Sequence, residues 1–503
     1  MNKNVLVLSD ALKLLKDKKL IVESNVKEED LTTIIRYVSF NSKDIEYNSL
    51  FICKGSHFDK KYLEAAIKEG AFVYLSESKY EDLSNEISYI IVNDIRKAMA
   101  YIAEIYTNYA WKDLTLIGIT GTKGKSTTAY FVKYILDDYL KFGKKKPCGI
   151  ISGIDNYDGV IKEESHLTTP ESLELHKHFA NAASNGLKYL TMEVSSQALK
   201  YDRVLGIQYE VGCFLNVGED HISDIEHSSF EDYFQSKLSI FNQCNIACVN
   251  LDIDYPERVL AEAKKCNRVI TFGLNKGADI YGYDITTNGK EISFSVQCDS
   301  FTKKFKLSMQ GFFNVYNALA AISIAYALNI PLDHVYHGLK KAKVRGRMEI
   351  FKEPKKNLHI VVDYAHNKMS FESLFESTKK DFPESEISIV FGCPGKKAQA
   401  RRKELGEIAG KYANKAYITE EDAGEEPVLQ ICEEIVKHME GNTCECSIIE
   451  DREEAIREAI KEAAAGGVIL ITGKGRETRQ KRGLLYVKTR SDVKIVKNIL
   501  EGK

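Results

Sequence analysis

Leu114-Thr115-Leu116-Ile117-Gly118-Ile119-Thr120 runs directly into Gly121-Thr122-Lys123-Gly124-Lys125-Ser126-Thr127, and the residues that follow set Val132, Ile135, Leu136 and Leu140 on one helical face. An apolar β-branched run, a glycine-rich turn and an amphipathic helix make a strand–loop–helix unit. The glycines let consecutive backbone N–H groups face an anion, and the helix N-terminus adds positive potential. Lys125 is placed to reach the β- and γ-phosphates of a nucleotide, and Ser126 to ligate Mg²⁺. The spacing departs from the strict phosphate-loop pattern, because Ile119 stands five residues before Gly124 and the upstream glycine is Gly118. The flanking strand and helix are still the ones such a loop requires.

The same alternation of short β-branched runs and helix-period stretches continues in both directions, which predicts an α/β protein with parallel sheets covered by helices. Strands are expected at 49–53 and 71–75 around a helix at 62–69, making a small first domain, 1–110. A central domain, 111–342, carries the phosphate loop, further strands at 189–194, 211–217 and 246–250, and a closing helix at 314–328 that is apolar on one side. Strands at 359–363, 387–391, 415–419 and 468–472 predict a third domain, 343–503. Three domains agree with 503 residues, about three times a usual domain.

Composition narrows the function classes. Lys+Arg 70 against Asp+Glu 72 leaves a net charge of −2, without the footprint of a general nucleic-acid or anionic-membrane binder. The apolar share of 44% and charged share of 28% are those of a globular protein, and no apolar run is long enough to span a bilayer. The opening Met1 to Asp10 has too short an apolar stretch for a secretory signal, so a cytoplasmic location is expected. The 11 cysteines are odd in number and form no CxxC pair; Cys444-Glu445-Cys446 lacks a second pair or a histidine at zinc spacing. Reduced thiols are expected.

Mg·ATP chemistry needs a carboxylate at the end of a neighbouring strand. Leu190-Thr191-Met192-Glu193-Val194 supplies Glu193 where an apolar strand runs out, and the strand at 211–217 runs into Gly218-Glu219-Asp220-His221. Sheet geometry sends the carboxyl ends of such strands to one crevice. Glu193 and His221 are therefore metal-ligand candidates, although a lone acid also serves as a helix cap and a lone histidine as a hydrogen-bonded structural residue.

In chain order, GTKGKST, TTPESL (168–173), MEVSSQAL (192–199), Arg203, DHISDIEH (220–227), YFQSKLSIF (233–241), GFFNVYNALAA (311–321), RGRMEI (345–350), VDYAHN (362–367) and GKGRE (473–477) resemble the Mur ligases. The resemblance runs from about residue 41 to 492. Within the family it is strongest to the branch that adds the third amino acid to UDP-N-acetylmuramoyl-L-alanyl-D-glutamate. It implies a UDP-binding first domain, a central ATPase domain, and a Rossmann-like third domain that receives the amino acid. The implied cofactors are ATP and Mg²⁺, and the implied partners are UDP-N-acetylmuramoyl-dipeptide and a free amino acid. Nucleic acid and membrane are not expected, and a monomer is.

The resemblance also assigns residues. Gly121, Thr122, Lys123, Gly124, Lys125, Ser126, Thr127, Asn317, Arg347, Asp363 and His366 fall in ATP-facing motifs. Ser126, Glu193 and His221 are implied Mg²⁺ ligands, and Lys237 stands where the family has a lysine carbamoylated by CO₂. Ser42, Thr168, Thr169, Ser195 and Arg203 match contacts to the UDP-muramoyl dipeptide; Lys397, Gly473 and Glu477 match the amino-acid side. The departures gather in the third domain. Gly-Asp-Arg-Asp of the family is Gly395-Lys396-Lys397-Ala398 here, and Asp-Asn-Pro-Arg is a shortened Glu421-Asp422-Ala423-Gly424. Lys397 keeps a charge but loses the bidentate fork of arginine. Ala423 offers no cation for the far carboxylate of meso-diaminopimelate, while Glu420, Glu421, Glu425, Glu426 and Glu477 favour a terminal ammonium. L-lysine is thus expected before meso-diaminopimelate. The rival expectations are a folylpolyglutamate synthetase, which has no need of residues 1–110, and a catalytically silent Mur-like binding protein.

Overall fold

The computed structural model describes residues 5–55, 58–83, 86–220, 222, 226–288, 291–396 and 399–503. His221 and Lys397, both assigned above, lie outside the described residues. The chain is α/β throughout, built on three main sheets.

The first sheet has the order Ile21–Ser24, Ser88–Val92, Ala71–Ser76, Ser49–Ile52, Tyr37–Ser39, with only the Ile21–Ser24 edge antiparallel. Its helix Lys60–Lys68 starts where the Asp59 side chain accepts from the Lys61 N–H, and Ile95–Tyr106 starts on an Asp94 cap in the same way. The third sheet has six strands in the order Glu349–Glu353, Leu358–Val362, Val468–Ile471, Ile387–Phe391, Lys415–Ile418, Glu445–Ile448, parallel except at the first.

The central sheet has eleven strands. Its parallel core sets Thr115–Thr120 between Tyr189–Glu193 and Tyr209–Phe214, so three adjacent strands end side by side. Every residue from Leu116 to Thr120 is buried, as a strand covered on both faces demands. The strand expected at 211–217 is Tyr209–Phe214: it starts two residues earlier and stops before Asn216, whose groups turn to the phosphate loop instead of a ladder. The sheet also runs on past Cys244–Asn250, through Arg268–Gly273 and Ile280–Thr287 to Ile292–Gln297 and Thr302–Leu307. These last strands carry apolar residues on one face only, a weaker pattern than the buried parallel strands. The helix expected to be apolar on one side is Phe313–Ala327, and it is buried nearly all round, packed between the phosphate-loop helix Lys125–Phe142 and the sheet. Its polar Asn314, Asn317 and Ser323 are buried with it.

No helix of the described residues is long and apolar enough to cross a membrane. All eleven cysteines are free thiols.

Candidate active site

The phosphate loop is held in shape by the segment that follows Tyr209–Phe214. Thr122 N–H donates to the Asn216 carbonyl at 3.1 Å, Lys123 N–H donates to Asn216 Oδ1 at 3.0 Å, and Asn216 Nδ2 returns a bond to the Lys123 carbonyl at 3.1 Å. Thr122 Oγ1 accepts from Gly218 N–H at 3.0 Å and lies 3.1 Å from the Tyr233 hydroxyl. Sequence reasoning passed over Asn216 and Tyr233; nothing in a single Asn after a strand signals a loop clamp.

Gly124 takes a left-handed φ of +85°, and a Cβ there would stand 2.3 Å from Asn317 Oδ1. The left-handed backbone alone costs a side chain about 1–2 kcal/mol, and the overpacking adds to it. Gly124→Ala is expected to lower the Tm by about 4 °C or more and to remove the thermal shift caused by an ATP analogue. An unchanged melting curve with an intact nucleotide shift would contradict this account of the loop.

Two ammonium groups converge on one carbonyl. Lys125 Nζ donates to Gly121 O at 2.8 Å and to Thr122 O at 3.2 Å, and Lys237 Nζ donates to Gly121 O at 2.9 Å. Lys237 is 1% exposed, on the helix Phe230–Leu238, and lies 4.5 Å from the Tyr233 ring centroid. Burial holds its ammonium well below the usual lysine range; the charge of Lys125 adds to the effect and Asp220 opposes it. Burial lowers Lys125 too, against the pull of Glu193 and Asp220. Glu193 is the last residue of its strand, 2% exposed, and accepts from Gly153 N–H at 2.8 Å.

Ser126 and Glu193 are the hard oxygen donors around the loop. Among the described residues no three His, Cys, Asp or Glu side chains are gathered as a metal cage. That donor set fits Mg²⁺, which keeps waters and phosphate oxygens and takes only one or two carboxylates.

From the third unit, Arg347 reaches back to Ser126 Oγ at 3.4 Å and stacks on Tyr364 at 4.4 Å. Asp363 accepts from the N–H groups of Met348 and Ala365, both at 2.8 Å, and burial raises its carboxyl. His366 Nδ1 lies 2.7 Å from the Tyr364 carbonyl oxygen. Asn317 donates to Asn314 Oδ1 at 3.0 Å beside Gly124. A cleft of about 740 Å³ opens here, lined by Tyr130, Asp155, Arg347, Met348 and Arg476 among others.

On the other side of Glu193, Thr169 Oγ1 donates to the Glu193 carbonyl at 2.9 Å and accepts from Ser195 N–H at 3.1 Å. Arg203 donates to the Thr169 carbonyl at 3.2 Å and pairs with Glu171 at 2.8 Å; Glu171 also pairs with Lys54 of the first unit. Thr168 lies beside Gly153. Thr168, Thr169, Ser195, Arg203 and Glu193 thus form one wall. Ser42 is not in it: it sits in the first unit, in the turn after Tyr37–Ser39.

The Glu-rich turn corrects an expectation. Glu420 pairs with Arg482 at 2.5 Å, Glu425 with Lys396 at 2.9 Å and Glu426 with Arg402 at 2.7 Å, so these three acids are neutralised within the protein. Glu421 is different. It is buried against Gly473, whose φ is +99° and where a Cβ would come within 1.9 Å of Glu421 Oε2. Burial pushes its carboxyl up to about 7, opposed by Arg452 and Lys474. Glu477 accepts from the Tyr364 hydroxyl at 2.6 Å and pairs with Lys474 at 2.5 Å. Ala423 is buried, its carbonyl packed against Gly395. Arg401 is committed to Asp220 at 2.7 Å.

A phosphate loop, the buried Lys237 beside Lys125 and a strand-end carboxylate, facing a second α/β unit, make a site suited to chemistry on a nucleotide phosphate. The comparisons agree. The Mur ligase middle domain matches residues 119–325, and the Mur ligase, glutamate ligase domain matches residues 346–475. The UDP-N-acetylmuramyl-tripeptide synthetase of Lactobacillus delbrueckii subsp. bulgaricus is 35% identical over 98% of both chains. The UDP-N-acetylmuramoyl-L-alanyl-D-glutamate–2,6-diaminopimelate ligase of Clostridium perfringens is 35% identical over 93% of this chain and 96% of that one. The corresponding L-lysine ligase of Enterococcus faecalis is 35% identical over 88% and 87%. A solved 2,6-diaminopimelate ligase shares the fold, with a TM-score of 0.66 at 23% identity over 99% of both chains. The chain belongs to the Mur ligase family, and it is an ATP-dependent ligase.

Proposed function

We propose that this enzyme adds the third amino acid, L-lysine in preference to meso-diaminopimelate, to UDP-N-acetylmuramoyl-L-alanyl-D-glutamate in the cytoplasm, as a step of peptidoglycan precursor synthesis. The observation that carries this reading is the near full-length match to a UDP-N-acetylmuramyl-tripeptide synthetase, together with Glu193, Thr169, Ser195 and Arg203 in one wall beside the phosphate loop. In it, residues 1–110 bind the UDP-sugar, 111–342 the ATP and 343–503 the amino acid.

A carboxylate is a poor acyl donor. The D-Glu side-chain carboxylate therefore attacks the γ-phosphorus and ADP leaves; the amino acid's amine then attacks the acyl carbon, phosphate departs with the bonding electrons, and the amine's proton goes to solvent. The first step brings two anions together, and Lys125 leaves its resting carbonyls to follow charge onto the transferred phosphoryl oxygens. Ser126, Glu193, His221 and a carbamoylated Lys237 would hold Mg²⁺, which supplies further charge neutralisation on those oxygens. Burial supports the carbamate, because it biases Lys237 toward the neutral amine, the form that adds to CO₂ with loss of a proton.

Charge counting in the pocket supports L-lysine. Diaminopimelate carries a second carboxylate, and Ala423 supplies no cation for it, whereas the buried Glu421 suits an ammonium; Glu477, like the other acids of the turn, is already paired, with Lys474. Burying that carboxylate unpaired costs about 3 kcal/mol or more. Steady-state kinetics should show kcat/KM for L-lysine above that for meso-diaminopimelate by about a hundredfold, with ornithine between. Glu421→Gln should raise the KM for L-lysine. A preference for meso-diaminopimelate would overturn the assignment.

A further inference from the structure

The third unit touches the catalytic loops at two points. Arg401, on the helix Ala400–Tyr412, donates to Asp220 Oδ1 at 2.7 Å, and Asn367 Nδ2 donates to Asp220 Oδ2, also at 2.7 Å. The Arg401 and Asp220 side chains are 12% and 4% exposed. Asn367 caps the helix Lys368–Asp381, and the same helix receives the other contact: Lys123 Nζ donates to the Met369 carbonyl at 2.9 Å and to Ser373 Oγ. Lys123 therefore gives the phosphate loop its backbone but sends its ammonium to the third unit. Arg401 also lies within the field of both Asp220 and Glu421. Its Nε is buried without a partner.

A buried ion pair adds little net stability but is costly to break one-sidedly, because the remaining charge is stranded. Such a pair across a cleft favours one arrangement of the two units over all others. We propose that Arg401 is a positioning residue of the ligation, which through Asp220 keeps the third unit shut over the phosphate loop while the activated carboxylate exists, with Lys123 as a second tie. What the latch prevents is hydrolysis. Water adding to the acyl carbon breaks the bond to the phosphate oxygen, phosphate leaves with the electron pair, the proton goes to solvent, and the substrate carboxylate is regenerated with ATP lost.

The proposal rests on the ligase reading above and has its own readout: ADP released per amide formed. This ratio does not depend on how much of a variant is folded. Wild-type enzyme, with UDP-muramoyl dipeptide and saturating L-lysine, should give about one. Arg401→Ala should raise the ratio to about ten, Lys123→Met should raise it less, and Arg401→Lys should fall between wild type and Arg401→Ala. Added guanidinium should lower the ratio in Arg401→Ala and leave wild type unchanged. A ratio that stays near one in both Arg401→Ala and Lys123→Met, however slow they become, overturns the proposal. A wild-type enzyme that releases ADP but forms no amide with any amino acid overturns the ligase reading, and the proposal with it.

Discussion

Replacing Lys125 by alanine should slow amide formation by about a thousandfold or more. The side chain is half-buried, and its ammonium rests on the carbonyls of Gly121 and Thr122, the two residues that open the loop. Those carbonyls satisfy the charge when no phosphate is near and release it when phosphates arrive. Other cations lie around the loop, but none replaces it. Lys123 is tied to Met369 and Ser373, Lys237 is pushed toward the neutral amine, and Arg347 is stacked on Tyr364. Nucleotide binding through the backbone N–H groups should survive in part, so kcat should fall far more than KM for ATP rises. Turnover above about a tenth of wild type would remove Lys125 from the phosphoryl-transfer step.

The second large effect is expected at Lys237. A lysine 1% exposed, sharing a carbonyl with a second ammonium, is a poor choice for a structural cation, since burial and the neighbouring charge both oppose its protonation. As a carbamate it becomes an anion, and the adjacent Lys125 then favours it. Lys237→Ala should lose about a hundredfold in activity and regain part of it with acetate or another short-chain acid, which can occupy the vacated space as a carboxylate. Lys237→Arg should stay inactive, because a guanidinium does not add CO₂. An active Lys237→Arg enzyme, or no response of Lys237→Ala to any acid, would contradict the carbamate.

The phosphate loop and Glu193 were legible because their signals are local: a strand and a glycine turn in fourteen consecutive residues with a helix directly after, and an acid where an apolar strand stops. What joins the units was not. Asp220 meets a residue 181 positions away, and Lys123 one 246 positions away. Neither partner carries any mark in its own neighbourhood, and Lys123 read as one more phosphate ligand. The Glu-rich turn misled for the same reason: Glu425 and Glu426 look free in the sequence, and only the fold supplies Lys396 and Arg402. The late strands Ile292–Gln297 and Thr302–Leu307 escaped because their alternating polar residues weaken the apolar run that marks a buried strand.

In the proposed reaction the D-Glu carboxylate is activated by the γ-phosphate of ATP before the amine attacks. UDP-muramoyl dipeptide labelled with oxygen-18 in the D-Glu side-chain carboxylate, incubated with the enzyme, ATP and L-lysine, tests it most directly. The expected products are the amide, ADP, and inorganic phosphate carrying one labelled oxygen for each amide formed. Label that stays out of the phosphate, or that appears in AMP, would contradict it.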